Sequence, residues 1–145
     1  MIGVEIDFVV TDSLKALHLY QQIFDIEVVE STNFPRGTNE AVFTLHGTRF
    51  HLLDENPEFQ LVAPKAENPT SVWFNVTVPN IQETFDKAVQ AGSKILQEPT
   101  EMIDFGITNA MFTDEFGYTW MLHQIHKIVS LEDRVKLFEQ EDPEF

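Results

Sequence analysis

The sequence predicts an α+β fold of two paired βαβββ modules followed by a short C-terminal helix. Two observations carry that expectation. The segments AVFTLHGTRFHLL (41–53) and AMFTDEFGYTWML (110–122) both begin Ala-x-Phe-Thr, turn at a glycine and leave it as Gly-x-x-aromatic-x-Leu. VEIDFVVTDSLKALHLYQQIFD (4–25) and VWFNVTVPNIQETFDKAVQAG (72–92) both alternate like a strand, reach Asp12 or Asn80, and then change to helical spacing. An internal repeat of this kind means two units of one design that bury their apolar faces together.

In the first strand Val4, Ile6, Phe8 and Val10 share one face, and Glu5, Asp7 and Val9 share the other. Its counterpart sets Val72, Phe74, Val76 and Val78 against Trp73, Asn75 and Thr77. Each all-apolar face is expected to lie under a helix. Asp12 and Asn80 are placed to cap those helices, since their side-chain oxygens accept from free N–H groups of the first turn. Leu14, Leu17, Tyr20, Gln21 and Phe24 recur at helical spacing, as do Ile81, Phe85, Ala88 and Val89. Gly92 suits a left-handed helix end. A strand and the glycine hairpin complete each unit.

Module one is expected over about residues 1–55 and module two over about 71–126. NPEFQLVAPKAENPT (56–70), rich in Pro, Asn and charge, reads as the linker between them. EPTEMIDFG (98–106) reads as a loop, a lip over a cavity. SLEDRVKLFEQ (130–140) starts with Ser130 as N-cap and Asp133 three residues on, and reads as an acidic C-terminal helix.

Composition excludes several classes. Nine Lys and Arg against 24 Asp and Glu give a net charge of −15, the wrong sign for nucleic-acid phosphates or anionic membrane surfaces. A cationic ligand is compatible with it. The absence of cysteine removes disulfides, thiolate metal sites and cysteine nucleophiles. No apolar run approaches the ~18 residues of a membrane span, and MIGVEIDFVV has no basic region ahead of an apolar one, so a cytoplasmic location is expected. There is no Gly-rich phosphate loop, nucleophile elbow or His-Glu-x-x-His. Asp114 and Glu115 sit together in a turn and read as turn chemistry.

Two βαβββ modules in a chain of this length resemble the vicinal oxygen chelate superfamily, which includes glyoxalase I, bleomycin-resistance proteins, fosfomycin-resistance enzymes and extradiol dioxygenases. Asp114-Glu115-Phe116-Gly117-Tyr118-Thr119-Trp120-Met121-Leu122 is similar to the Asp-Pro-Phe-Gly-x-x-Trp-x-Leu phrase of its PhnB-like branch, with Glu115 in place of Pro. Tyr20-x-x-x-Phe24 matches the branch's helix end, with Asp25 where Gly is common. The resemblance implies paired sheets curved around a pocket, a homodimer, and metal-ligand positions on the first and last strand of each module. Those positions fall on Glu5, His51, Trp73 and Met121.

Glu5 and His51 are competent ligands, whereas Trp73 is not and Met121 offers a thioether unsuited to hard cations. Asp7 and Asn75 share the same faces as the ligand-type positions, and His123 lies two residues past Met121 on its face. Glu5, Asp7, His51 and His123 therefore either assemble an irregular metal site, or Glu5 and His51 form a polar pair without metal. Arg49, on the face of His51, either pins an anionic group of a ligand or pairs with a neighbouring acid. Trp73 among polar residues is either a stacking wall for a ligand or a pocket filler. His18, His46 and the His123/His126 pair rank below these.

The function expected is a PhnB-like protein binding a small molecule in an aromatic and polar concave pocket floored by Glu5, Asp7, Arg49, His51, Trp73, Asn75, Met121 and His123, with no cofactor required. The alternative is a divalent-metal lyase, isomerase or transferase of the same superfamily with Glu5 and His51 as ligands.

Overall fold

The computed structural model describes residues 2–65, 68 and 70–141. The first half runs β1 (Ile6–Val10), α1 (Ser13–Ile23), β2 (Ile26–Ser31), β3 (Glu40–Leu45) and β4 (Thr48–Asp54). The second repeats that order as β5 (Trp73–Thr77), α2 (Ile81–Gln90), β6 (Lys94–Met102), β7 (Ile107–Thr113) and β8 (Thr119–Ile125), and α3 (Leu131–Glu141) ends the described chain. The sheets have matching orders, β1-β4-β3-β2 and β5-β8-β7-β6. In each, the first strand runs parallel to the last and the other pairings are antiparallel. Among the described residues no helix is long and apolar enough to cross a membrane.

The helix starts are fixed twice over. Asp12 accepts from the Lys15 N–H at 3.1 Å and Asn80 from the Glu83 N–H at 3.2 Å. The last strand of each half then reaches back to the same turn. Asp54 Oδ1 accepts from the N–H and hydroxyl of Ser13, both at 2.7 Å, while Gln124 Oε1 accepts from the Ile81 N–H at 2.9 Å. A helix N-terminus has donors that its own ladder cannot use, and both halves satisfy one from the opposite end of the module.

Both sheets turn their apolar faces to one core. Phe8 meets Phe74 at 5.1 Å between ring centroids, Phe50 meets Trp120 at 6.4 Å, and Phe24 at the end of α1 meets Trp120 at 4.8 Å. Trp120, Tyr20, Phe43, Phe112, Leu52 and Leu122 are fully buried. Each such apolar side chain contributes about 1.5–3 kcal/mol relative to exposure, so the contact between halves is a large share of the hydrophobic stabilisation. Strand alternation then fixes the other faces: the polar side of each sheet lies on the outside of the shared core.

Several boundaries differ from the sequence expectation. Val4 and Val72, placed on the buried faces by alternation, are 90% and 58% exposed because β1 and β5 begin only at Ile6 and Trp73. Gln21 and Val89 face solvent. Residues 98–102 of the expected lip are strand, the end of β6, and only 103–106 turn away. The segment expected as linker holds a helical turn at Pro57–Phe59, and Ala63 in it is buried. Ala66, Glu67 and Pro69 of that segment lie outside the described residues. The C-terminal helix follows Ser130, whose hydroxyl accepts from the Asp133 N–H at 3.2 Å.

Candidate functional site

On the outward face of the first sheet, β1 and β4 bring Asp7 and His51 side by side in register, with Glu5 one strand step earlier. Glu5 is the hub. Arg49 Nε donates to its Oε2 at 2.8 Å, and His51 Nδ1 lies 3.0 Å from its Oε1. Arg49 foremost, then His51, holds the Glu5 carboxyl down to about 2, so it is ionised throughout the physiological range. An ionised carboxylate only accepts, so Nδ1 is the donor of this pair and Nε2 is the ring's remaining nitrogen. That Nε2 is buried and has no hydrogen-bond partner. Its nearest acid, Glu40 Oε1 on β3, stands off at 3.7 Å. Asp7 is 3.6 Å from Nδ1. Burial first, then the neighbouring Glu5 carboxylate, pushes the Asp7 carboxyl upward.

Glu5, Asp7 and His51 place one ligand atom each within 4.8 Å of one another. Two carboxylates and an imidazole are a suitable donor set for a divalent cation. The surroundings are less suitable, because the Arg49 guanidinium occupies one oxygen of Glu5 and sets a positive charge where a cation would bind. The resident-metal fit is therefore poor.

The outward face of the second sheet is nearly uncharged. Trp73, at 54% exposure, stands at the start of β5 beside Thr119. Asn75 pairs in register with Met121, and Thr77 with His123. His123 Nδ1 lies 2.6 Å from Asn75 Oδ1, and burial lowers the imidazole's proton affinity. Met111 lies opposite Met121, and Asn109 opposite His123, with Gln97 donating to Asn109 at 2.6 Å.

The structure thus gathers Glu5, Asp7, Arg49 and His51 on one face and Trp73, Asn75, Met121 and His123 on another. No hydrogen bond or salt bridge among the described residues joins the two faces. His123 is not part of the Glu5 cluster. His126 instead meets the Thr108 hydroxyl at 2.8 Å, His18 meets Gln22 at 3.3 Å, and His46 occupies the left-handed position of the β3–β4 turn. Sequence reading missed Glu40, although alternation along β3 puts it opposite buried Ala41 and so toward His51. The largest cavity described, about 610 Å³ between α1 and the loop after β2, is lined by Asp12, Lys15, Arg36 and Glu115 among others. Its lining carries charges of both signs.

The family model of the Glyoxalase/Bleomycin resistance protein/Dioxygenase superfamily matches residues 4–122. No curated protein matches the chain. Among solved structures, the fosfomycin resistance protein FosX from Listeria monocytogenes, complexed with Mn(II) and sulfate, is similar with a TM-score of 0.66 and 18% identity over 95% of this chain and 99% of that one. A putative 3-demethylubiquinone-9 3-methyltransferase, PhnB protein, from Bacillus cereus is similar at 0.63 and 20% identity, covering 85% and 99%. TioX from Micromonospora sp. ML1 is similar at 0.63 and 17%, covering 86% and 100%. At these identities the likeness is one of fold.

Proposed function

The chain belongs to the Glyoxalase/Bleomycin resistance protein/Dioxygenase superfamily, and from that premise we propose that it binds a small organic molecule without an obligate metal. The pocket forms where the Glu5–His51 face of one copy meets the Trp73–His123 face of another. The observation that carries this reading is the state of Glu5, whose two oxygens are already engaged by Arg49 and His51. Trp73 and Met121 at the corresponding positions of the second half supply no hard-cation ligand.

Two copies related by a two-fold axis make this contact twice, each giving one face of each kind. The charges suit it: Glu5, Asp7 and Glu40 crowd the first face, while the second offers an exposed indole, amides and thioethers. A cationic or aromatic ligand then stacks on Trp73 and sets its positive group toward Asp7 and Glu40. His51 Nε2 accepts a hydrogen bond from it. The Asp114–Leu122 phrase and the likeness to the PhnB protein support placement in the PhnB-like branch.

A second reading, a divalent-metal lyase, isomerase or transferase, draws on the Glu5, Asp7 and His51 cluster and on the Mn(II) complex of FosX. One experiment separates the two: metal analysis and metal-dependent melting of the protein beside His51→Ala. The metal-free reading expects no stoichiometric metal and no melting shift with Ni, Zn, Mn or Fe. Near-stoichiometric metal that disappears in the variant would overturn it in favour of the second.

A further inference from the structure

The second-sheet face does not end at His123. Two residues further along β8, Ile125 pairs with Ile107, and here α3 lies over the sheet, with the Phe138 ring 5.5 Å from Phe105. Between helix and sheet runs a groove of about 500 Å³. The helix turns its apolar stripe, Leu131, Val135 and Phe138, into this groove, yet these side chains remain 67%, 45% and 64% exposed. A stripe at i, i+4 and i+7 is ordinarily sealed against its neighbour; this one is held open.

The groove's charge is the reverse of the molecule's. In a chain with 24 Asp and Glu, none of the described residues lining it is acidic, while Lys127 and Arg134 both line it. Neither forms a salt bridge among the described residues. Asn109 in the wall is already engaged by Gln97 and Met102. What the groove leaves unmatched is thus an apolar floor and two cations.

We propose that this groove is a binding site for an amphipathic monocarboxylate, an acyl or arylalkyl acid. Its apolar body lies between α3 and the Ile107–Ile125 end of the β7–β8 pair, and its carboxylate is held by Arg134 and Lys127. A guanidinium matches both oxygens of a carboxylate. The field of a chain at −15 repels anions in general, so capture requires a local cationic rim such as this one. A neutral or cationic amphiphile would leave both cations unpaired. The site uses none of the residues invoked under the proposed function, and the two readings stand or fall separately.

The test is calorimetric titration of the full chain with decanoate, with decanol and decyltrimethylammonium as neutral and cationic controls. The expected result is saturable binding of one decanoate per chain, at least ten-fold tighter than either control. The Lys127→Gln/Arg134→Gln double variant should lose ten-fold or more, and Phe138→Asn should also weaken binding, whereas Lys87→Gln on α2, outside the groove, should leave decanoate affinity unchanged. The contrast between decanoate and decanol on the unaltered protein decides the matter even if a variant folds poorly. Equal binding of the two, unsaturable uptake, or full affinity in the double variant would overturn the proposal. So would concentration-dependent protection of the α3 amides from exchange without ligand, which would mean that a second copy fills the groove.

Discussion

Tyr20, in the last turn of the first helix, donates its hydroxyl to Asp114 Oδ2 in the β7–β8 turn of the second half, at 2.6 Å and out of reach of solvent. The same carboxylate accepts from Trp120 Nε1 at 2.8 Å and from the N–H groups of Phe116 and Tyr118. Burial raises the Asp114 carboxyl, against these donors, and pushes the Tyr20 phenol well above its ordinary range, so the phenol stays a donor. Asp114 therefore holds its own turn and ties it to the opposite module.

Removing that tie should be costly. Tyr20→Phe leaves a buried acceptor short of one partner, and the expected loss is about 1–3 kcal/mol. Urea unfolding should show it as a lower midpoint within a single transition, because the two halves share a core. Separate transitions for the halves would contradict the shared-core account.

Asp54 should behave differently with pH. Burial works to raise its carboxyl, but donors from Ser13, Gly37 and Asn39 outweigh it and hold the value below the usual range. A folded value below the unfolded one gives stability that is present above the unfolded value of about 4 and lost as pH falls through the folded one. Asp54→Asn is expected to cost about 1–3 kcal/mol at neutral pH, with the gap from the parent narrowing below pH of about 4. Urea midpoints at pH 7 and pH 3 check both sign and window.

Arg49→Gln tests the hub of the first face. With the guanidinium gone, the Glu5 carboxyl should rise from about 2 toward the ordinary carboxylate range, read by carbon NMR of the side-chain carboxyl. An unmoved value would mean that Arg49 does not govern Glu5. The position is partly exposed, so global stability should change by no more than about 0.5 kcal/mol.

Gly106 closes the turn after β6 in a left-handed conformation, with φ at +69°, and its carbonyl accepts from the N–H groups of His126 and Lys127. A methyl group there points onto the Lys127 carbonyl oxygen. Gly106→Ala should therefore lower the melting temperature, with a loss of about 1–3 kcal/mol from backbone strain, whereas Gly92→Ala meets open space and pays only for its backbone conformation.

Trp73→Ala should separate association from folding. The indole is over half exposed and its removal leaves no cavity in the core, so stability of the monomer should hold within about 0.5 kcal/mol. Sedimentation at falling concentration should show weaker self-association than the parent. Unchanged association would remove Trp73 from the proposed contact.

The parts of the fold that depend on near neighbours were readable in the sequence. Asp12 and Asn80 announce their helices because capping is decided within one turn, and the alternation of Phe8 with Asp7 is decided within one strand. Where a strand begins was not readable, because it depends on a distant partner: the parallel pairings start only at Ile6 with Phe50 and at Trp73 with Thr119, leaving Val4 and Val72 unpaired. A loop was expected over 98–106, a segment that holds Pro99. In fact 98–102 lie on edge strand β6, with register shifts before Thr100, and an edge tolerates a missing donor. At the candidate site, alternation gave the outward direction of Asp7, Arg49, His51 and Asn75. That the two polar faces lie on the outside of one core follows from contacts such as Phe50 with Trp120, which no local pattern encodes.

A single βαβββ unit of this design could not stand alone. Cut from its partner, the first half would present Phe8, Phe50 and the end of α1 to water, and the second would present Phe74 and Trp120. Each bare half would be a sticky plate whose best available cover is another plate like itself. Matching strand orders and matching helix anchors at Asp54 and Gln124 make the two plates interchangeable in outline. The fused chain is, in that sense, a dimer that can no longer dissociate, with its outer faces left over to recognise something else.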